Sequence, residues 1–226
     1  MKQAVIIYGP PGSGKGTQAE LLARKFGFIH FDTGRYIESV VHDSSNRKNK
    51  IIQREKKNFD TGKLCAPAWV LKITADEAKR IANSQMSIVF SGSPRTIFEA
   101  FGDRKNTGLI ETLTALYGKK NVSVIKLNIH DQSSMKRNSA RLVCSVCGLP
   151  ILATAKNRHC SLCGGAFRRR TLDKPAVIKV RLKEYAERTY PILAGLKKLG
   201  FKIFPVNGEP APYKIHKVIA KKIGLD

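Results

Sequence analysis

Near its start the sequence reads Ala4-Val-Ile-Ile-Tyr8 and then Gly9-Pro-Pro-Gly-Ser-Gly-Lys-Gly-Thr17, a short apolar run followed at once by a glycine-rich segment. Glycines allow the backbone to approach a phosphate chain closely and to turn successive N–H groups toward it. A helix that begins near Lys15 adds the positive end of its dipole, and the Lys15 ammonium can reach the outer phosphates. The order of strand, glycine-rich turn, lysine and helix predicts a phosphate-binding loop rather than a turn of purely structural use.

Five short apolar runs rich in β-branched residues predict buried strands. They are Ala4–Tyr8, Phe28–Phe31, Ser87–Phe90, Val122–Leu127 and Phe201–Val206. Between them lie longer segments with helical spacing, of which the first ends at Gly27. Because parallel neighbours need a crossover connection, this alternation predicts an α/β fold, with helices on both faces of a five-stranded parallel sheet.

Two stretches interrupt the alternation, and we interpret both as insertions. Residues 32–66 have a polar, basic helical pattern without a strand, and residues 137–174 are rich in Cys and Arg with little core-forming periodicity. The predicted core consists of residues 1–31, 67–136 and 175–226.

Composition limits the class of protein. Of the 226 residues 42% are hydrophobic, which suits a globular core and excludes a disordered or collagen-like chain. No apolar run approaches the roughly 20 residues that cross a bilayer. The first run ends in Gly9-Pro-Pro-Gly12 instead of a cleavage site. We therefore expect no membrane association and a cytoplasmic location.

The net charge of +24 favours phosphate-bearing partners. It fits a lysine-rich solvated surface equally well, because the 41 Lys and Arg residues are spread along the whole chain. Such a surface can also bind polyanions non-specifically. We expect a monomer, and no dedicated protein partner is evident.

Four of the five cysteines form two paired units. Cys144-Ser-Val-Cys147-Gly and Cys160-Ser-Leu-Cys163-Gly are separated by twelve residues, a spacing that suits four thiolates around one tetrahedral Zn²⁺. Redox pairs or unbound thiols are the alternative. Because protein sulfur fills all four positions, the predicted zinc is structural and stabilises an insertion too small to form its own core.

The glycine-rich loop resembles that of adenylate kinase and its nucleoside-monophosphate kinase relatives, in which a glycine also follows the lysine. Further motifs fall in the order of that family. They are Thr33-Gly34, Gly62-Lys63-Leu64, Gly92-Ser93-Pro94-Arg95-Thr96, Arg141-Leu-Val-Cys144, Arg170 through Arg181-Leu182 with Tyr185, and Asn207-Gly208. The resemblance implies a P-loop kinase core with a small helical insertion at 32–66 that binds the monophosphate, and a zinc-binding lid at 137–174. It implies the reaction ATP + AMP = 2 ADP, with Mg²⁺ accompanying ATP.

The resemblance also implies the residues of the site. Because phosphoryl transfer spreads negative charge over the moving group, arginines and a lysine carry most of the expected chemistry. The predicted catalytic residues are Lys15, Arg95, Arg141, Arg170 and Arg181. The predicted ATP-binding residues are Gly12, Ser13, Gly14, Lys15, Gly16, Thr17 and Arg141. The predicted monophosphate-binding residues are Thr33, Arg35, Lys63, Cys65, Gly92, Arg95, Glu99, Arg170 and Arg181.

Four positions depart from the family pattern. Ser91 stands where the family has an acid that holds waters around Mg²⁺, so we expect magnesium to be held less well. Arg35 replaces an acid and Glu38 replaces an arginine, which resembles an exchange of charges. Glu99 replaces a Gln that reads adenine, and an ionised carboxylate suits the donors of guanine better. A kinase for another monophosphate, such as GMP or CMP, is therefore an alternative.

A hypothesis from another class is an RNA-binding protein that uses the nucleotide fold as a switch. Residues 136–174 hold nine Lys or Arg against one Asp, and zinc knuckles contact single-stranded RNA. Phe167 is the only aromatic residue in that stretch, whereas RNA-binding proteins of this kind stack bases on several. We therefore rank kinase activity ahead.

Overall fold

The computed structural model describes residues 2–151 and 157–225. Within them the chain forms eight strands and ten α-helices. The strands are β1 (Ala4–Tyr8), β2 (Ile29–Phe31), β3 (Ile88–Phe90), β4 (Val122–Asn128), β5 (Leu142–Cys144), β6 (Pro150–Ile151), β7 (Phe167–Arg168) and β8 (Ile203–Asn207). The helices are α1 (Lys15–Phe26), α2 (Thr33–His42), α3 (Lys50–Asp60), α4 (Pro67–Asn83), α5 (Ile97–Phe101), α6 (Leu109–Tyr117), α7 (Asp131–Ala140), α8 (Pro175–Glu184), α9 (Ile192–Lys198) and α10 (Pro212–Lys222).

The main sheet has the order β2-β3-β1-β4-β8, and all its strands are parallel. All five strands predicted from the sequence are confirmed, β1 with the predicted bounds and the others with ends that differ by at most two residues. Side chains alternate across the sheet. Ile6 and Phe90 pack on one face with α4, α6 and α9, while Val5 and Ile125 pack on the other with α1 and α10. The predicted α/β class with helices on both faces is confirmed.

The β1–α1 junction shows why its glycines are needed. Gly9, Gly12 and Gly14 all have positive φ, at 153°, 79° and 92°. A Cβ on Gly12 would lie 2.6 Å from Nδ2 of Asn138, a residue of α7. The loop is therefore clamped against α7 at a point where no side chain fits.

The insertion at 32–66 contains α2 and α3. Ile37, Val41, Ile52 and Phe59 form a small apolar cluster there, which Leu172 joins from the second insertion. The two predicted insertions therefore share apolar packing.

The second predicted insertion, at 137–174, contains a small antiparallel sheet of order β6-β5-β7. Its predicted start lies inside α7, which runs continuously from Asp131 to Ala140. The predicted end agrees better with the structure, because α8 begins at Pro175. The division into core and two insertions stays a prediction.

Across the described ranges we find no helix with both the length and the apolar character that a membrane crossing requires.

Candidate functional site

The glycine-rich loop lies at the carboxyl edge of the sheet and is held by hydrogen bonds from two directions. Lys15 Nζ donates to the carbonyl oxygens of Gly9 at 2.7 Å and Pro10 at 2.9 Å, so the lysine curls back over its own loop. From α7, Ser134 Oγ donates to the carbonyl oxygen of Pro11. The predicted ATP-binding residues Gly12, Ser13, Gly14, Lys15, Gly16 and Thr17 all lie in this loop and in the first turn of α1.

Five cations converge beside the loop. Burial lowers the pKa of Lys15 well below its usual value, and the nearby charges of Arg95, Arg181 and Arg141 lower it further. Burial, followed by the charges of Arg141, Arg95 and Arg170, lowers the pKa of Arg181 to about 9. The structure thus brings together all five residues predicted to be catalytic. Mutual repulsion in a poorly solvated space is an arrangement that a bound anion would stabilise.

Asp173 organises two of these cations, and the sequence analysis missed it. Its carboxylate accepts two hydrogen bonds from Arg141, one of them from Nε at 2.9 Å. It also lies 3.6 Å from Nη1 of Arg181. The Asp173 side chain is only 3% exposed. The sequence signal was an acid between Arg170 and Arg181 in a stretch otherwise rich in cations.

A cavity between α2, α3 and the loop after β3 contains most of the residues predicted to bind the monophosphate. Six of them line it, namely Thr33, Lys63, Cys65, Gly92, Arg95 and Glu99. Its other lining residues are Gly34, Ile37, Phe59, Leu64, Val70 and Ser93. The Oγ atoms of Ser13 and Ser93 and Oγ1 of Thr33 are buried without a hydrogen-bond partner in the described part of the chain. Such hydroxyl groups are available to a bound ligand.

Glu99 is almost fully buried, and neighbouring groups hold its carboxylate in place. Oε2 accepts a hydrogen bond from the backbone N–H of Arg95 at 2.8 Å, and Oε1 accepts one from the Thr96 hydroxyl at 3.1 Å. Burial raises the pKa of Glu99 above its usual value, although the N–H and the charge of Arg95 oppose that shift. The rise favours the neutral acid, which offers one donor and one acceptor, as the amide of Gln does.

Arg35 lies outside the acceptor cavity, although the sequence predicts it to bind the monophosphate. Its Nη2 donates to the carbonyl oxygen of Cys147 at 3.1 Å, across the gap between the two insertions. Arg170 Nη2 lies 3.7 Å from Oε2 of Glu38. The monophosphate-binding role of Arg35 stays a prediction.

Ser91 directly follows β3, and a hydrogen-bonded chain connects it to α1. Its Oγ lies 2.8 Å from Nε2 of His30, and His30 Nδ1 lies 3.4 Å from Oε2 of Glu20. His30 is thus a linking residue that orients the Ser91 hydroxyl at the edge of the sheet where the phosphate loop lies.

A second cavity, of about 370 Å³, lies where β4 and β8 end. It is lined by Asn128, Ile129, His130, Pro205, Val206, Asn207 and Glu209. Arg137 of α7 holds its rim by donating to the carbonyl oxygens of Gly208 at 2.8 Å and Glu209 at 2.9 Å. The sequence analysis missed this role of Arg137. The signal that could have found it is its spacing, one helical turn before Arg141 and on the same helix face as Ser134.

The four paired cysteines come together in space. Their sulfur atoms all lie within 4.8 Å of one another, with Cys144 and Cys163 3.4 Å apart and Cys147 and Cys160 3.7 Å apart. Tetrahedral Zn²⁺ with four thiolates needs sulfur separations of about 3.8 Å. Burial disfavours the Cys144 thiolate, but N–H groups of Cys147 and Val146 lower its pKa to about 6. The cluster can hold a metal ion.

Comparison with known proteins gives a consistent result. A family model described as adenylate kinase matches residues 7–201. A protein of Borreliella burgdorferi named adenylate kinase is 31% identical over 225 residues, covering 98% of this chain and 97% of its own. Proteins of the same name from Caldicellulosiruptor saccharolyticus and Chlamydia pneumoniae are 28% and 31% identical, and the alignments cover 98% and 86% of this chain and 99% and 85% of theirs.

Proposed function

The chain belongs to the adenylate kinase family, and from that membership we propose that it transfers the terminal phosphoryl group of ATP to a nucleoside monophosphate, with AMP as the leading acceptor. The convergence of Lys15, Arg95, Arg141, Arg170 and Arg181 is the observation that carries this proposal. Fixed guanidinium groups match phosphate oxygens and stay charged at neutral pH. Catalysis here consists of placing the two nucleotides and stabilising the charge on the moving group.

The two cavities share no lining residue, which suits a separate donor and acceptor. We assign the cavity at the ends of β4 and β8 to the base of ATP, because Gly208 at its rim lies against the glycine-rich loop, where an added Cβ would come within 3.3 Å of the Ser13 carbonyl oxygen. The glycine-rich loop then receives the phosphates. Lys15 exchanges its carbonyl partners for phosphate oxygens, since an anion relieves the repulsion from the neighbouring arginines. Mg²⁺ bound with ATP supplies further neutralisation of the phosphate charge.

The acceptor cavity, in turn, supports a monophosphate whose phosphate meets Arg95 and whose base reaches Glu99. A neutral Glu99 presents a donor and an acceptor to the N1 and N6 edge of adenine. An ionised Glu99 instead suits the N1–H and N2–H₂ donors of guanine. Burial shifts the pKa of Glu99 toward the neutral acid, and membership of the adenylate kinase family supports the same acceptor, so AMP ranks ahead of GMP.

A coupled assay with AMP, GMP, CMP and UMP at millimolar Mg·ATP tests the proposal. We expect the highest kcat/KM with AMP, and absence of turnover with every acceptor would exclude the kinase function. The variant Lys15→Met should lower kcat by about 100-fold or more without changing the circular dichroism spectrum. Lys25→Met, at the exposed end of α1, is the matched control and should leave kcat unchanged.

We further propose that the four-cysteine cluster holds one structural Zn²⁺ through Cys144, Cys147, Cys160 and Cys163. The sulfur separations and the two thiolates favoured by backbone N–H groups support this assignment. Elemental analysis should find one zinc per chain after dialysis against EDTA. A metal-free protein with the same thermal stability as the zinc-loaded protein would contradict a structural role. Cys65→Ser, outside the cluster, is the control for loss of a thiol.

A further inference from the structure

Arg35 and Glu38, the two positions with exchanged charges, both contact the second insertion. Arg35 Nη2 donates to the carbonyl oxygen of Cys147. The guanidinium also lies against Gly148, where an added Cβ would come within 2.7 Å of Nη2 and 2.8 Å of Cζ. Gly148 also has a φ of 68°. This position therefore favours glycine both because its backbone is left-handed and because a side chain would collide with Arg35.

Glu38 lies one helical turn from Arg35 on α2 and forms the second contact. Its Oε1 is 3.5 Å from Nη2 of Arg168, and its Oε2 is 3.7 Å from Nη2 of Arg170. One carboxylate therefore faces two cations of the other insertion. Glu38 and Arg168 are both partly exposed, whereas the Arg170 side chain is only 18% exposed.

The contact with Arg170 matters because Arg170 is in an unfavourable electrostatic environment. It is buried close to Arg141, and the charges that oppose this destabilisation come from Asp32, Glu38 and Asp173. Of these acids, Glu38 is the one in contact with Arg170. Glu38 thus offsets repulsion from Arg141 together with the charges of Asp32 and Asp173, and it does so by direct contact.

We propose that Arg35 and Glu38 form a clasp that fastens α2 to residues 147–148 and 168–170, and that Glu38 is a positioning residue for phosphoryl transfer that acts through Arg170. The second half of this proposal rests on the proposed kinase function, whereas the clasp itself does not. Arg35 determines how the two insertions are oriented. Its guanidinium bonds the Cys147 carbonyl and packs on Gly148, and both contacts are made in only one orientation. Glu38 then sets where Arg170 lies within that orientation.

The clasp can be tested without any turnover. Spin labels carried on unnatural amino acids at exposed positions 57 and 161 report the distance between the two insertions by pulsed electron paramagnetic resonance in the full-length, nucleotide-free protein. Glu38→Gln and Arg35→Gln should each shift the distance distribution to longer values. Glu77→Gln, which breaks an ion pair confined to α4, is the matched control and should leave the distribution unchanged. An unchanged distribution in both clasp variants would overturn the clasp.

Steady-state kinetics then test the positioning role. Glu38→Gln should lower kcat/KM by about fivefold, with the loss in kcat as well as in KM, because a misplaced Arg170 affects the transition state. Glu38→Arg should lower it further, and adding Arg168→Glu should recover part of the loss by restoring an attraction across the gap. Recovery through charge exchange distinguishes positioning from a structural effect. Unchanged or increased kcat/KM in Glu38→Gln would overturn the positioning role, and an inactive wild type would instead overturn the kinase function.

Discussion

At the scale of single residues, the site depends on acids that hold cations as much as on the cations themselves. Asp173 accepts two hydrogen bonds from Arg141 and faces Arg181, and it is nearly inaccessible to solvent. Removing its charge leaves two poorly solvated guanidinium groups without their partner. Hydrogen bonds to charged groups contribute about 1.5–3 kcal/mol, so Asp173→Asn should lower kcat/KM by about 10- to 100-fold.

Kinetics with both substrates varied should show that loss for Asp173→Asn. Asp103→Asn is the matched control, because Asp103 accepts hydrogen bonds only within its own exposed loop. Wild-type kcat/KM in Asp173→Asn would show that Arg141 and Arg181 keep their positions without the carboxylate.

Ser91 is the residue at which this chain departs most from the expected handling of magnesium. Its hydroxyl is oriented by His30, and no carboxylate occupies its place at the end of β3. Carboxylates bind Mg²⁺ and its waters more strongly than hydroxyl groups do. Ser91→Asp should therefore lower the Mg²⁺ concentration for half-maximal binding of a fluorescent ATP analogue by about tenfold. Ser91→Asn is the control, because Asn matches Asp in size but carries no charge. An equal effect of Ser91→Asp and Ser91→Asn would show that the charge is not responsible.

At the scale of elements, the packing of α10 against α1 contains a buried histidine that is sensitive to acid. Neither ring nitrogen of His216 has a hydrogen-bond partner among residues 2–151 and 157–225, and its ring packs on Phe26. Burial, with a smaller contribution from Lys25, lowers the pKa of His216 below its usual 6.5. The unfolded chain therefore binds the proton more readily than the folded protein, so the free energy of unfolding falls as pH decreases below about 6.5.

Thermal unfolding at pH 7.5 and 5.5 tests this expectation. Each kcal/mol lost lowers Tm by about 2–4 °C in a protein of this size. His216→Leu should reduce the difference in Tm between the two pH values. His42→Gln should not reduce it, because His42 is partly exposed and faces Asp60. An identical pH dependence in His216→Leu and the wild type would refute the assignment.

The elements also show which parts of the fold a single sequence can predict. Central strands of a parallel sheet are buried on both faces, so β1 and β3 read as continuous apolar runs and were found. The short strands β5, β6 and β7 have two or three residues each and depend on neighbouring turns rather than on a repeating pattern. In α7 the buried residues are Ser134 and Asn138. Both are polar residues that make hydrogen bonds where they are buried, Ser134 to the loop and Asn138 within the helix. A search for hydrophobic periodicity does not detect such positions.

At the scale of the whole molecule, the cations of the site were predicted because their spacing is local to recognisable motifs. The acids that hold these cations in place were not predicted. Asp173 pairs with Arg141 across 32 positions, and Glu38 faces Arg170 across 132. Partners so distant in sequence become visible only when the fold brings them together. The positions at which a sequence departs from its family are thus the best places to look for such pairs.

Part of the net charge of +24 lies near β8, the edge strand of the sheet. Lys202 and Lys222 both lie over the ring of Phe204, and Lys119 lies over Phe201. Further lysines lie on α9 and α10, the helices that contact β8, namely Lys197, Lys198, Lys214, Lys217 and Lys221. Glu209 is the one acid between residues 192 and 225. We therefore expect weak binding of single-stranded poly(U) that decreases steeply with salt, because binding releases counterions.

Fluorescence anisotropy between 50 and 200 mM salt measures this dependence. The double variant Lys202→Glu, Lys222→Glu should reduce the slope of log K against log salt by about 1.4, since each phosphate contact of a single strand contributes about 0.7. The matched control is Lys72→Glu, Lys79→Glu on α4, which carries the same change of charge away from β8. Equal reductions in both variants would show that the charge acts as a diffuse field. A smaller slope only in the Lys202→Glu, Lys222→Glu variant, with kcat unchanged, would place the polyanion contact at the β8 edge. It would also show that this contact is independent of phosphoryl transfer.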